Sequence, residues 1–427
     1  MNYMRLFLFS LILFAAVAMG NAGGFQIADH SARAMGLGGA YVAVPNDASS
    51  VYANPSALSF LSGTHLSVGT TIIVPDTKFT LASDPGNTSR TQSQVLFPPN
   101  VSITHTLANG IGFGLTASVP FYIKNDWPSD WTAGRVTTRS EIRVVFVSPT
   151  VSAKILPSLS MGLSLNIAFS HMLNSRRIGF DQGAAVDDPP PPDGTQSLDG
   201  SGKRAFGFGA GLFFHPDDVW SLGAAYRSRI SVPVENGSVS FTGIPTTEAA
   251  NYPDGAYSTA MTIPDQLSGG IGYKPFKALY LSGEVQYMYW STLSTMTLTF
   301  ADPALEQNPN IEKIIPLHWK NSITARCGVE VTLGDVSLRA GFAYEQSPVP
   351  DEYMRPSVPD ATRRVYSAGV GYAVSEDLRL DFACSFARLD DRSVTNSLVE
   401  YLPGAYLNGT YASSLTMIGI NMSYAWN

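Results

Sequence analysis

Charge is scarce in this chain: Asp, Glu, Lys and Arg together make up 14% of its 427 residues, against roughly 25% in an ordinary soluble domain. The length would allow two or three soluble domains, but so few charges favour one large closed sheet. Cysteine is nearly absent, and Cys327 and Cys384 are too few for a disulfide framework. The net charge of −7, with no basic cluster to offset it, argues against nucleic acid as a partner. Long apolar runs are missing beyond the N-terminus and mean hydropathy is close to zero, which excludes a bundle of membrane helices. The N-terminus itself has Arg5, the apolar run from Leu6 to Met19 and the small residues Gly20-Asn21-Ala22. That pattern predicts a removable export signal over residues 1–22.

What the chain has in abundance is alternation. In LYLSGEVQYMYW, Leu279, Leu281, Val285, Tyr287 and Tyr289 face one way and Ser282, Glu284 and Gln286 the other. VSLRAGFAYE sets Val336, Leu338, Phe342 and Tyr344 against Ser337, Arg339 and Glu345. Near the C-terminus Ile418, Ile420, Met422, Tyr424 and Trp426 oppose Gly419, Asn421 and Ser423. One face of each segment is apolar and the other polar or tiny, the period of a half-buried strand.

The connections decide between a soluble sandwich and a membrane barrel. Tight turns are expected at Asn109-Gly110, Pro157-Ser158, Pro216-Asp217, Pro275-Phe276, Gly334-Asp335 and Ser375-Glu376. Between them fall long polar or Pro-rich stretches at about 76–94, 121–138, 172–203, 232–258, 292–317, 346–361 and 391–413. Six short and seven long connections imply 14 strands, with both chain ends on the short-turn side. The fold class is therefore an all-β membrane protein, a 14-stranded antiparallel transmembrane β-barrel in the bacterial outer membrane. Closure is obligatory, because an open edge in lipid leaves backbone groups unsatisfied. Tyr289, Trp290, Tyr344, Tyr424 and Trp426 are placed for an interfacial girdle. The strand register puts both cysteines on the lipid face of non-neighbouring strands, so no bond between them is expected.

GFQIADHSARAMGLGGAYVAVPNDASSVYANPSALSFLSG, residues 24–63, is too helical for a barrel strand and too small for a domain. Ala34, Leu37, Tyr41 and Val44 recur at helical spacing, as do Ala48, Val51 and Tyr52. Asn54 is suited to cap a short helix that begins at Pro55. A 14-stranded barrel is too wide for its own side chains to fill. Residues 23–63 are thus expected to form an N-terminal helical plug, or hatch, in the lumen of a barrel formed by 64–427.

Five fragments give the chain a family likeness: GFQ at the mature start, SARAMGLGGAYVAVPNDASSVYANPS, FGFGAGLFFHPDDVWSLGAAYRS, IPDQLSGGIGYKP and LRAGFAYEQSPVPDEYMRPSVPDATRR. In these it resembles the FadL-type outer-membrane long-chain fatty-acid transporters, whose relatives import toluene and other aromatic hydrocarbons. The resemblance implies a barrel closed by an N-terminal hatch, diffusion of an apolar substrate through hydrophobic pockets, lateral release through the wall, and no energy-coupling partner. It places Phe25 and Gln26 at the hatch tip beside the substrate pocket, and Asn54, Pro55 and Ser56 where hatch meets wall. It also implies a lateral opening at a kinked third strand, here IGFGLTASVP with Gly112, Gly114 and Pro120. Two departures stand out. Ser56 replaces the alanine of the family's Asn-Pro-Ala, and the chain ends on Asn427, one residue past the terminal aromatic.

For capture from outside, the loop PFYIKNDWPSDWTAGR offers Phe121, Tyr122, Trp127 and Trp131 as an apolar groove, with Lys124 and Arg135 for a carboxylate. Arg33 in the plug is a further carboxylate candidate. The inward charges Glu141, Arg143, Arg227, Glu284, Arg326, Glu330, Arg339, Arg379 and Asp381 are expected to pair across the lumen and with the plug. His30, His65, His105, His171, His215 and His318 lack metal-ligand spacing, and no catalytic serine motif is visible. The expectation is a monomeric, cofactor-free and metal-free channel, not an enzyme. Its partners are outer-membrane lipid and a hydrophobic small molecule, a long-chain fatty acid or else an alkylbenzene. A general porin and a barrel hydrolase are the remaining alternatives.

Overall fold

The computed structural model describes residues 23–27, 31–44, 47–180 and 193–426. The expected export signal, His30 and most of the DDPPPPDG tip lie outside the described residues. The wall begins with β1 (Gly63–Leu81), β2 (Pro99–Thr106), β3 (Ile111–Asp126), β4 (Arg139–Leu156) and β5 (Leu159–Ile178). The next three staves each come in two pieces: β6 (Gly194–Ser201 and Ala205–Phe214), β7 (Trp220–Arg227 and Ile230–Thr242) and β8 (Gly255–Ile263 and Gln266–Phe276). It is completed by β9 (Leu279–Met288), β10 (Ser322–Leu333), β11 (Val336–Glu345), β12 (Arg363–Ala373), β13 (Leu378–Leu389) and β14 (Gly409–Trp426).

Every stave pairs antiparallel with its sequence neighbour, and β1 pairs with β14 from Thr64↔Trp426 to Leu81↔Gly409. The result is a closed 14-stranded barrel. Five of the short turns fall at the expected places, with β10 and β11 joined only by Gly334 and Asp335, while the turn expected at Pro275-Phe276 lies two residues later at Lys277-Ala278, because β8 keeps its pairing through Phe276. The long connections are shorter than expected. β1 continues to Leu81, β3 to Asp126, β5 to Ile178 and β7 to Thr242, through residues read as loop. Beyond the lipid boundary an outward side chain no longer has to be apolar, so polarity stops marking the strand while the backbone ladder goes on.

The outward face carries the lipid belt. Ile103, Phe113, Leu163, Phe206, Leu267, Leu338, Phe382 and Ile420 are all exposed, while inward partners such as Ser102, Ser268, Ser337 and Asn421 are buried. Trp426, at 45% exposure, sits in the girdle as expected, but Trp290 is 0% exposed and belongs to the interior. Arg143 also reverses its expected side and is exposed on the outer face. Cys327 and Cys384 are free, on β10 and β13 with two staves between them.

Phe382 lies near the middle of β13 on the lipid side. Phe382→Arg is expected to lower stability by about 2–4 kcal/mol. Denaturant unfolding of the barrel in liposomes measures this, and Ser385→Ala on the inner face serves as the mild comparison.

Candidate functional site

Residues 31–44 and 47–60 run against the inward face of the wall. They form α1 (Ala32–Gly36), α2 (Ser50–Ala53) and a 3₁₀ turn at Pro55–Phe60. The helices are shorter than the spacing suggested, yet Ala34, Leu37, Tyr41 and Val44 do form one buried cluster. Turns at Gly38 and Gly39, both at positive φ, replace the missing helix. Where the segment touches the wall, the wall residue is often glycine. A Cβ on Gly223 would stand 2.1 Å from Val42 O, one on Gly341 2.1 Å from Gly38 N, and one on Gly211 2.1 Å from Asn54 Oδ1. Gly223 and Gly341 let two backbones meet without a side chain between them, and Gly211 leaves room for the Asn54 side chain.

Asn54 is the knot of this contact. Its Oδ1 accepts from Ser56 N at 3.1 Å and Ser56 Oγ at 2.6 Å, capping the 3₁₀ turn with Pro55 in its first position. Its Nδ2 donates to Val42 O and to Leu212 O on β6, both at 3.0 Å. The hydroxyl of Ser56 is therefore used in the cap, and Ser56 O accepts from Ser160 Oγ on β5.

The inward charges are consumed in two chains. One runs Arg33–Glu330 (2.7 Å), Glu330–Arg339 (2.6 Å), Arg339–Asp381 (2.7 Å) and Asp381–Arg379 (3.2 Å). The other joins Glu284 to Arg326 (3.2 Å), Arg326 to Glu345 (3.6 Å) and Glu345 to Arg363 (2.5 Å), while Tyr41 N and Val42 N donate to Glu284 Oε2. Arg227 stacks on the Tyr52 ring and donates to its hydroxyl and carbonyl. Arg33 is thus spent on Glu330, away from both cavities described next.

Two large cavities flank Phe25. The outer one spans about 1030 Å³ and is lined by Met172, Leu198, Met261, Leu298, Leu317, Trp319 and other apolar side chains. The second, about 970 Å³, lies between residues 24–27 and the staves β1, β3 and β11 to β14. Phe25 borders both, 4% exposed, with its ring 5.7 Å from Phe121, 5.2 Å from Trp290 and 6.0 Å from Trp319. Trp290 and Trp319 were not legible as site residues, because an aromatic at a strand end looks the same whether it faces lipid or lumen.

The outer cavity is mostly apolar, with Glu141 and a few neutral polar side chains on its lining and a charged cluster at one place. There Arg176 and Arg355 share the single carboxylate of Glu312, with Arg355 Nη1 at 3.2 Å and Arg176 Nη1 at 3.9 Å from Oε2. Arg355 Nε is buried without a hydrogen-bond partner. Burial opposes the charge on Glu312, but Arg355 and then Arg176 outweigh it and hold the carboxyl below its ordinary range. Glu141 is a second carboxylate on the same lining, so two guanidiniums and two carboxylates border the apolar volume, with Arg176 and Arg355 converging at one point of it.

The other expected site residues divide. Phe121 and Tyr122 lie at the cavities, Phe121 packed on Phe25 and Tyr122 lining the second cavity with Gln26 and Lys124. Trp127 and Trp131 line neither; they stack on each other at 4.2 Å, and Trp131 packs on Phe79. Arg135 pairs with Asp193. Gly112 and Gly114 sit in regular ladder with β2 and β4, facing Leu58.

The irregularity in β3 comes later, at Val119-Pro120, where its register with β4 shifts. Here β3 pairs inward with the N-terminal segment, through Ile27 N to Pro120 O (2.8 Å) and Tyr122 N to Phe25 O (3.2 Å). On the other side its ladder with β2 stops at Val101↔Ala117. Contact resumes only at Gln94 Nε2 to Lys124 O and Gln92 N to Asp126 O. Pro98, Pro99 and Pro120 flank this interval, and none has an N–H to close it. The second cavity lies directly behind it, lined by Leu96, Tyr122 and Ile123.

A closed barrel with its N-terminal segment against the inner wall is matched by one family model, described as outer membrane protein transport protein (OMPP1/FadL/TodX), over residues 13–426. The chain belongs to the OMPP1/FadL/TodX family. It is similar to outer membrane protein P1 of Haemophilus influenzae, 20% identical over 98% of both chains, and to the long-chain fatty acid transport protein of Escherichia coli K12, 22% identical over 85% of this chain and 87% of that one. Among solved structures it resembles a Pseudomonas aeruginosa FadL homologue (TM-score 0.83, 20% identity, covering 95% of this chain and 100% of that one). It also resembles the Pseudomonas putida toluene transporter TodX (TM-score 0.68, 18% identity, covering 94% and 98%). OMPP1/FadL/TodX proteins are outer-membrane channels for hydrophobic molecules and not an enzyme family, which places this protein in the bacterial outer membrane.

Two outcomes are expected. Asn54→Ala strands the partners of its four hydrogen bonds and is expected to destabilise the segment by about 2–4 kcal/mol, read as faster proteolysis of residues 23–62 in the intact barrel. Glu312, with its carboxyl held low, contributes stability above the ordinary carboxylate value of about 4.3 and loses it as pH falls through the lower folded value. Tryptophan fluorescence is expected to show that acid transition in the unmodified protein and to lack it in Glu312→Gln.

Proposed function

We propose that this protein admits long-chain fatty acids by passive diffusion, with residues 23–63 as the hatch that stoppers the lumen and Phe25 as the partition between two binding volumes. The E. coli relative is named for long-chain fatty acids and the P. putida neighbour for toluene, cargoes that differ in whether they carry a charge. One observation favours the acid. The outer cavity joins a mostly apolar lining to the paired guanidiniums of Arg176 and Arg355, which share Glu312, and a cargo carboxylate can bond to the same two guanidiniums. An alkylbenzene has no use for that charge.

Burial of an acyl chain yields about 0.8 kcal/mol per CH₂, so a chain of about 15 methylenes gains on the order of 12 kcal/mol and leaves slowly unless its site is broken. Movement of residues 24–27 breaks it, because Phe25 belongs to both cavities and the strand-like pairing of 25–27 with β3 is only two backbone bonds long. Cargo that has reached the second cavity faces the unladdered interval between β2 and β3, and we assign lateral release to that seam. An open polar pore is disfavoured by the glycine-to-backbone contacts that fill the lumen.

Liposome uptake of radiolabelled oleate against a sugar tests the reading: oleate should enter and the sugar should not, and sugar entry without oleate overturns it. Hydrogen bonds to charged groups contribute about 1.5–3 kcal/mol, so Arg176→Ala with Arg355→Ala is expected to weaken oleate binding on the order of tenfold or more and leave toluene binding unchanged. Equal loss for both ligands, or none for oleate, removes the carboxylate assignment and favours the hydrocarbon.

A further inference from the structure

Two arginines stand side by side on the outside of the wall. Arg364 on β12 and Arg388 on β13 are direct register partners, which sets their backbones about 5 Å apart. Like charges directly opposite each other destabilise a sheet. Their place is the outer end of the lipid belt: on β13 the outward stripe runs Leu380, Phe382, Cys384, Phe386 and then Arg388, and on β12 it runs Tyr372, Val370, Ala368, Tyr366 and then Arg364. Phe386 and Tyr366, one step toward the membrane, are 47% and 53% exposed.

The same row continues around the wall through Tyr344, Ser414 and Asp76. Tyr344 lies under the Arg364 guanidinium at 5.9 Å, and Arg364 pairs with Asp390. Asp76 is taken by Arg90 in a two-point contact of 2.6 and 2.7 Å. Asp391, next to Asp390, is exposed. Among the described residues Arg388, and Lys78 one row further out, have neither an ion-pair nor a hydrogen-bond partner. An exposed cation pair above an apolar stripe, at the height where the membrane's outer headgroups begin, has the form of an anionic lipid site: guanidiniums grip phosphate oxygens in pairs, and the stripe below accepts acyl chains.

We propose that Arg364 and Arg388 hold a phosphate of an acylated glycolipid of the outer leaflet, with its chains lying on the Tyr366 and Phe386 stripe. The site is separate from the transport route, which lies inside the wall. Free inorganic phosphate shares the headgroup chemistry but not the stripe.

Native mass spectrometry of the full-length protein in detergent tests this with three probes: bis-phosphorylated lipid A, dephosphorylated lipid A and inorganic phosphate. A lipid A adduct is expected that falls at least tenfold in Arg364→Ala with Arg388→Ala, persists in Arg143→Ala on the far wall, and does not form with the dephosphorylated lipid. Undiminished adduct in the double variant, or equal binding of the dephosphorylated lipid, overturns the proposal. Displacement of the lipid by equimolar inorganic phosphate overturns it as well, in favour of a free-anion site. Heat-modifiable migration on gels checks that each variant is folded. Should the double variant fail that check, Arg388→Gln takes its place with the same outcomes.

Discussion

Lipid offers a backbone N–H or C=O no partner, and most of this molecule is a consequence of that. A sheet in hydrocarbon must close on itself, so β1 zips to β14 over their whole length. The ladder then goes on past the lipid boundary as far as pairing lasts. Against that rule the interval between β2 and β3 is an exception with visible causes. Pro98, Pro99 and Pro120 supply no donors, and β3 spends its free edge on Phe25 and Ile27 instead. The wall is weakest where the N-terminal segment is its local partner, which ties the state of the seam to the position of that segment.

A barrel of this width must also be filled. The inner wall meets the N-terminal segment through glycine at Gly162, Gly223 and Gly341, giving backbone-to-backbone contact, and elsewhere through the chains of arginine and carboxylate. Ion pairs so deeply buried contribute little net stability but are expensive to break singly, about 3–5 kcal/mol. They fix where the segment sits. The contacts of residues 24–27 are different in kind: two backbone bonds to β3, hydrogen bonds from Gly24 N to Asp360 and from Gln26 to Gln266, and aromatic edges, with cavities on either side. One segment thus has a part fixed by buried charge and a part held by fewer contacts.

Much of the fold was legible, and the reasons are local. Period-two alternation with tiny inward residues marks strands, and the rhythm of turns such as Gly334-Asp335 counts them. Asn54 and Pro55 announce their cap because capping depends on adjacent residues alone. Of the residues expected at the candidate site, Phe25, Gln26 and Tyr122 line the second cavity and Phe121 packs on Phe25, whereas Trp127 and Trp131 fold on each other and Arg33 goes to Glu330. Arg176 and Arg355 were passed over, although their charge was in plain view, because what matters is that residues 179 positions apart converge on Glu312 beside an empty apolar volume.

The sequence by itself determined the class of molecule: an exported closed barrel with an apolar coat, an N-terminal segment that needs an interior, and the family to which both belong. Those properties follow from hydrophobic period, turn chemistry and composition, each a short-range quantity. Only the tertiary structure decided which side of the wall Trp290 and Arg143 occupy, where the β2–β3 ladder lapses, and which guanidiniums are left over after pairing. These depend on register and on contacts between distant staves, and a one-residue shift would reverse every one of them.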